Sequence, residues 1–199
     1  MKRVAVLASG RGSNLAALLR AQADYSSYRV VLGVSNVEGC GALALAREAS
    51  VEAVCAPSRG ATRDDHERAV VDLLASRSVD LVCLAGYMRV LSPVFIDGLS
   101  RPILNIHPSL LPAFPGMHAQ RQALDAGVRW SGATVHFVDT GLDTGPILLQ
   151  EPVRVHPDDS EDTLSARILE TEHRLYPQGL DIVARGAYEI AGRTVRLIS

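Results

Sequence analysis

Short runs of Val, Ile, Leu and Ala recur through the first half of the chain, at RVAVLA (3–8), YRVVLGVSN (28–36), VEAVCAP (51–57), VDLVCLAG (79–86) and PILNIHP (102–108). An apolar run without polar alternation reads as a strand covered on both faces, the condition met in parallel sheets whose crossover helices pack on either side. The segments between the runs read as those helices. SNLAALLRAQA, with Ser13 as its N-cap, GALALAREAS and TRDDHERAVVDLLASRS all carry apolar residues at helical spacing. The expected fold class is therefore α/β: a doubly wound, mostly parallel sheet with helices on both faces.

After Pro108 the pattern changes. A Pro-rich loop, LLPAFPGMH, precedes a short helix, and RWSGATVHFVD and PILLQEPVRV then read as two long strands forming an antiparallel extension near the C-terminus. A long helix opens at Asp159 or Ser160, with Glu161 and Asp162 in its first turn where acids suit the helix dipole. Pro177 is expected to kink or restart that helix, and GRTVRLIS reads as one last edge strand. No repeat, low-complexity tract or linker divides the sequence, so residues 1–199 read as one domain, with a nucleotide-binding α/β half (1–108) and a second half (109–199). A chain of 199 residues buries enough surface to fold without disulfides or a structural metal.

Charge and cysteine usage narrow the function classes. Twenty Lys and Arg against 22 Asp and Glu give a net charge of -2, and no long run of one sign exists to bind a polyanion, so nucleic acid is not an expected partner. Cys40, Cys55 and Cys83 are odd in number and lie in apolar or Gly-rich contexts, as expected of reduced thiols in a cytoplasmic protein. There is no C-x-x-C pair and no H-E-x-x-H, so no metal is expected. The apolar stretches are too short for a membrane span or a signal peptide, so no membrane partner is expected either.

Three constellations carry chemistry. SGRGSN, Ser9 to Asn14, stands where a strand hands over to a helix, and its glycines and the helix N-terminus suit a phosphate. A dinucleotide site would also want an acid closing the second strand. Asn36 stands there, which favours a monophosphate ester. In NIHP, Asn105 and His107 are two apart and share one strand face, at the strand end where ligands of open α/β sheets sit. In GATVHFVDTGLDTGPI, Thr134 and His136 share a face, and the following loop holds Asp139 and Asp143 among Gly141, Gly145 and Pro146. An Asp143 folded against His107 would raise the histidine pKa and keep a donor proton near neutrality. Mid-helix Glu172 lies near the border of the apolar stripe formed by Leu164, Ile168 and Leu175, where a solvated or locally paired acid remains an alternative. Arg89 is a charge within the otherwise apolar GYMRVLSP, set to cap a pocket or to snorkel to the surface.

Taken together, SGRGSN, NIHPSLLPAFPG and GATVHFVDTGLDTGPI resemble the folate-dependent formyltransferases, over residues 3 to about 177. Within that family the resemblance is to the branch acting on glycinamide ribonucleotide. It implies transfer of a formyl group from 10-formyltetrahydrofolate, as co-substrate, to the amine of that ribonucleotide in de novo purine biosynthesis. It also implies a catalytic set of Asn105, His107 and Asp143, with Gly12, Ser13, Asn14 and Glu172 binding the ribonucleotide. Met88, Arg89, Val90 and Leu91 match one wall of the pterin pocket, the loop from Asp139 to Asp143 matches the other, and Arg63 falls near a position used toward the glutamate tail of the folate. The implied partners are these two small molecules, with the protein a monomer or homodimer.

Ala113 and Leu169 depart from the pattern, the first where many relatives carry lysine and the second where some carry a polar residue beside the phosphate. Both bear on substrate affinity and neither touches the catalytic set. Two rivals within the family, a formyltetrahydrofolate hydrolase and a methionyl-tRNA formyltransferase, are expected to carry an extra N-terminal or C-terminal domain. From other classes, a non-catalytic nucleotide-binding module or a nicotinamide oxidoreductase would exploit the same glycine loop.

Overall fold

The first strand, β1 (Lys2–Leu7), is out of solvent from Val4 onward. In the computed structural model, which describes residues 1–198, it belongs to the first of two units, Met1–Leu104 and Asn105–Ser199. There it pairs in parallel with β2 (Tyr28–Ser35) on one side and β4 (Leu81–Leu84) on the other, and β3 (Glu52–Cys55) adds in parallel to β2. The resulting order is β3-β2-β1-β4. The chain winds outward from β1 and then returns to its other side. Right-handed crossovers therefore place α1 (Ser13–Ala21) and α2 (Gly41–Glu48) on one face and α3 (Arg63–Ser76) on the other. The reversal lies between β1 and β4, so the loops after these two strands flank the crevice where such sheets take ligands. Those loops are SGRGSN and the segment 85–92, which leads into α4 (Pro93–Leu99).

The strand β5 (Ile103–His107) begins in the first unit and ends in the second. The second unit continues with α5 (Ala119–Asp125), β6 (Trp130–Phe137), β7 (Ile147–Arg154), α6 (Glu161–Arg185), β8 (Tyr188–Ala191) and β9 (Thr194–Leu197), in strand order β5-β6-β7-β9-β8. β6 and β7 pair antiparallel from Trp130↔Arg154 to His136↔Ile147, with a register shift between Val135 and His136. α6 packs on this pair through Leu164, Ile168, Leu175, Leu180 and Val183. Gly179 permits the approach, since a Cβ there would lie 2.8 Å from Val135 Cγ1.

The structure departs from the sequence reading at four places. The N-cap of α1 is Gly12, in the left-handed conformation at φ 83°, and Ser13 is the first helical residue. α6 runs unbroken through Pro177, whose ring is buried, because tertiary packing outweighs a cost of about 3 kcal/mol. The C-terminal strand is not an edge: β8 and β9 form a hairpin around Gly192, with β9 lying between β7 and β8. The short helix α4, capped by Ser92 and opened by Pro93, was not foreseen.

α6 begins with a reciprocal cap. Ser160 Oγ accepts from Thr163 N, and Thr163 Oγ1 accepts from Ser160 N. Just before it, the Arg167 guanidinium, by hydrogen bonding to Asp159, holds that carboxyl well below the usual carboxylate range. Ser160→Ala is expected to lower stability by about 1 kcal/mol, read as a lower denaturant midpoint at unchanged slope. An unchanged midpoint would show that the cap contributes nothing here.

Candidate active site

The second unit brings three of its predicted residues, Asn105, His107 and Asp143, to one place. His107 closes β5 with its ring buried, Nε2 2.8 Å from the Phe114 carbonyl and Nδ1 3.4 Å from Asp143 Oδ2. Two residues back on the same face, Asn105 donates from Nδ2 to His136 Nε2 at 3.1 Å. His136 in turn lies 3.7 Å from the other carboxylate oxygen, Asp143 Oδ1. Asn105, His107 and Asp143 thus form one cluster, in which His136 stands between Asn105 and Asp143. Sequence reasoning had placed His136 on the right strand face without giving it a role.

Backbone geometry holds Asp143 in position. It is a non-glycine residue at φ 53°, and its Oδ2 accepts from the Gly116 backbone at 2.8 Å. Its neighbours require glycine: a Cβ at Gly145 would stand 1.9 Å from the Phe137 carbonyl, and one at Gly141 2.0 Å from Thr144 Oγ1. Asp139 does not reach the cluster. Its Oδ1 accepts from Gly141 N and Thr144 Oγ1, so it shapes the loop. The Pro-rich segment is fastened by Thr134, whose hydroxyl donates to Ser109 O and accepts from Leu111 N and Gln150 Nε2.

Proton placement follows from the partners. Burial pushes the His136 pKa below its ordinary 6.5, opposed by the Phe137 carbonyl and Asp143. The neutral ring donates from Nδ1 to Phe137 O at 2.9 Å, which leaves Nε2 as acceptor for Asn105. One amide hydrogen of Asn105 is thereby committed, and the second is free to donate elsewhere. Both ring nitrogens of His107 face oxygens that only accept. A half-buried amide, a buried imidazole and a carboxylate so arranged can stabilise charge on a carbonyl oxygen and move a proton.

In the first unit, SGRGSN forms the expected turn. Ala42 N donates to Gly10 O, and a Cβ on Gly12 would stand 2.7 Å from Ala42 Cα. Gly12→Val would therefore damage packing as well as any phosphate site, and is not the clean binding probe that a solvent-facing glycine would be. Asn14 is buried and Ser13 half-buried at the start of α1. Ser9 ties this turn to the neighbouring loop, with Oγ donating to Asn36 Oδ1 at 2.6 Å and accepting from Met88 N at 2.8 Å.

Along that loop Met88 and Val90 are exposed, Arg89 is half-buried and Leu91 is buried. Arg63 turns inward to the Val90 carbonyl at 2.8 Å and to Glu67 at 3.2 Å. Glu172 is buried on α6, so a solvated helix face does not describe it.

His66 is buried on α3 and bonded to Tyr87. Its pKa is lowered by burial and then by Arg89. Since His66 and His136 both resist protonation when folded, the unfolded chain binds more protons below about pH 6.5, and stability rises with pH through that window. The denaturant midpoint should fall between about pH 7 and about pH 5.5, and fall less in His66→Gln; a flat profile in the parent protein would contradict this.

Comparison with known proteins identifies the family. A family model described as "Formyl transferase" matches residues 2–180. The trifunctional purine biosynthetic protein adenosine-3 of Drosophila melanogaster is 46% identical over 93% of this chain, which spans only 14% of that protein. The phosphoribosylglycinamide formyltransferase of Mycobacterium tuberculosis is 44% identical over 98% of this chain and 91% of its own length. Among solved structures, glycinamide ribonucleotide transformylase 1 from Symbiobacterium toebii superposes with a TM-score of 0.97 at 44% identity, covering 100% of this chain and 95% of that one. The sheet of mixed strands, the clustered site residues and these matches lead to one conclusion: the chain belongs to the formyl transferase family.

Proposed function

We propose that the protein transfers a formyl group from 10-formyltetrahydrofolate to the amine of glycinamide ribonucleotide, a step of purine biosynthesis carried out in the cytoplasm. The observation that carries this reading is the linked set of Asn105, His136, Asp143 and His107. It offers hydrogen-bond donors and a proton acceptor side by side, in a buried setting where such groups act most strongly on developing charge.

The substrate amine attacks the formyl carbon, the carbonyl electrons move onto oxygen, and the bond from carbon to the folate nitrogen then breaks. The uncommitted amide hydrogen of Asn105 and a proton on His107 stabilise the formyl oxygen. With Nε2 of His107 held by the Phe114 carbonyl, its Nδ1 side, facing Asp143 at the longer distance of 3.4 Å, supplies that proton. Asp143 balances the imidazolium charge and, through water, accepts the proton lost by the amine, and the same water route returns that proton to the folate nitrogen as it leaves. No covalent intermediate with the enzyme is needed.

The family positions that bind the ribonucleotide fall on Gly12, Ser13 and Asn14, and on Glu172. The first three stand at the N-terminus of a nine-residue helix, where backbone N–H groups suit a phosphate. The folate positions fall on Met88 to Leu91 and on Asp139 to Asp143, with Arg63 toward the glutamate tail. The exposed apolar side chains of Met88 and Val90 suit the face of a flat heterocycle.

Following folate absorbance with and without the ribonucleotide tests the reading. Formyl loss is expected only when the ribonucleotide is present; equal loss without it would indicate a hydrolase. His107→Asn and Asp143→Asn are each expected to reduce turnover by roughly two or more orders of magnitude, with folding retained. Wild-type turnover in either folded variant would overturn the assigned roles.

A further inference from the structure

We propose that Glu67 is a positioning residue that sets the shape of the segment 87–92, and through it the affinity for the folate co-substrate. This rests on the reading of Met88 to Leu91 as a folate wall.

Arg63, His66 and Glu67 are spaced i, i+3 and i+4, so they share one face of α3. Each holds a different point of the same segment. His66 Nε2 meets the Tyr87 hydroxyl at 2.7 Å, and Arg63 Nη2 donates to the Val90 carbonyl at 2.8 Å. Glu67 holds the far end: its Oε1 accepts from Ser92 N at 2.9 Å, and its Oε2 accepts from Ser92 Oγ. Oε1 also accepts from Arg63 Nε at 3.2 Å, so Glu67 joins two of the three attachment points. Ser92 passes the constraint onward, since its Oγ accepts from Phe95 N and caps α4.

Glu67 is only 6% exposed, and a carboxylate so buried is stable only while it keeps its donors. What the clamp leaves outside is equally informative. Although the backbone is held at Val90, Met88 and Val90 remain 69% and 63% exposed, an arrangement that folding alone does not reward. A stiff loop presenting apolar side chains and backbone lowers the ordering cost of binding a flat ligand. In this conformation the Arg63 charge is spent on the clamp, so contact with a folate tail would compete with the Val90 carbonyl.

Glu67→Gln keeps the side-chain volume and removes the charge. Losing hydrogen bonds to a charged group predicts a rise of about tenfold in KM for 10-formyltetrahydrofolate. KM for glycinamide ribonucleotide and kcat at saturation should stay within about twofold, because the cluster around His107 makes no use of this carboxylate. Ser92→Ala should raise the same KM by a smaller factor of about three. A folded Glu67→Gln protein with wild-type folate KM would overturn the proposal. So would parallel changes in both KM values and kcat, which would indicate a general structural role. If Glu67→Gln does not fold, Ser92→Ala decides by the same criteria. Absence of ribonucleotide-dependent transfer by the wild-type protein would contradict the functional reading itself, whereas normal turnover with an unmoved folate KM contradicts only the role of Glu67.

Discussion

The Asp143 carboxylate, held in a left-handed turn with one oxygen near each of two histidines, is the contact on which the arrangement of the second unit's candidate site depends. One oxygen is fixed by the Gly116 backbone and lies near His107; the other lies near His136. Placing a non-glycine residue at positive φ costs about 1 to 3 kcal/mol, and the surroundings must supply it. They do so with two glycines that admit no Cβ, an internal hydrogen-bond network from Asp139, and a register shift in β6 at the residue that must face the carboxylate.

The first unit solves a different problem with similar means. It keeps the two loops at the ends of β1 and β4 in fixed shape. Gly12 and Gly41 let the turn after β1 lie against the start of α2, with a Cβ on Gly41 only 2.9 Å from the Arg11 carbonyl. Ser9 then ties that turn to the segment after β4, which α3 holds from its other side. Each loop is determined by contacts with residues distant in sequence, so substitutions chosen from local sequence alone, such as Gly12→Val, change more than they are meant to.

Much of this is legible in the amino-acid sequence. Uninterrupted apolar runs specify strands, and each of the five runs (3–8, 28–36, 51–57, 79–86 and 102–108) contains one, the strands ending at Leu7, Ser35, Cys55, Leu84 and His107. The shared face of Asn105 and His107 follows from strand periodicity alone. The role of His136 did not, because it depends on which residues lie opposite β6, and neither spacing nor composition encodes that. Glu67 was silent for the same reason: within α3 it reads as an ordinary acid, and only Ser92, 25 positions away, gives it a purpose. Pro177 shows the limit of a local rule, since a helix packed along its length carries a proline that an isolated one would not. The terminal hairpin had a signal in its alternation around Gly192, but strands this short and exposed leave little hydrophobic pattern to read.

The central claim is that a neutral His136 accepts from Asn105 and so frees an ordered amide hydrogen beside His107 and Asp143. Long-range nitrogen–proton NMR of the histidine rings in the wild-type protein tests it most directly. The account predicts that His136 titrates below its ordinary 6.5, that its neutral form carries the proton on Nδ1, and that its Nε2 signal shifts in Asn105→Ala. A His136 that carries its proton on Nε2, or titrates like an exposed imidazole near its ordinary 6.5, would contradict it.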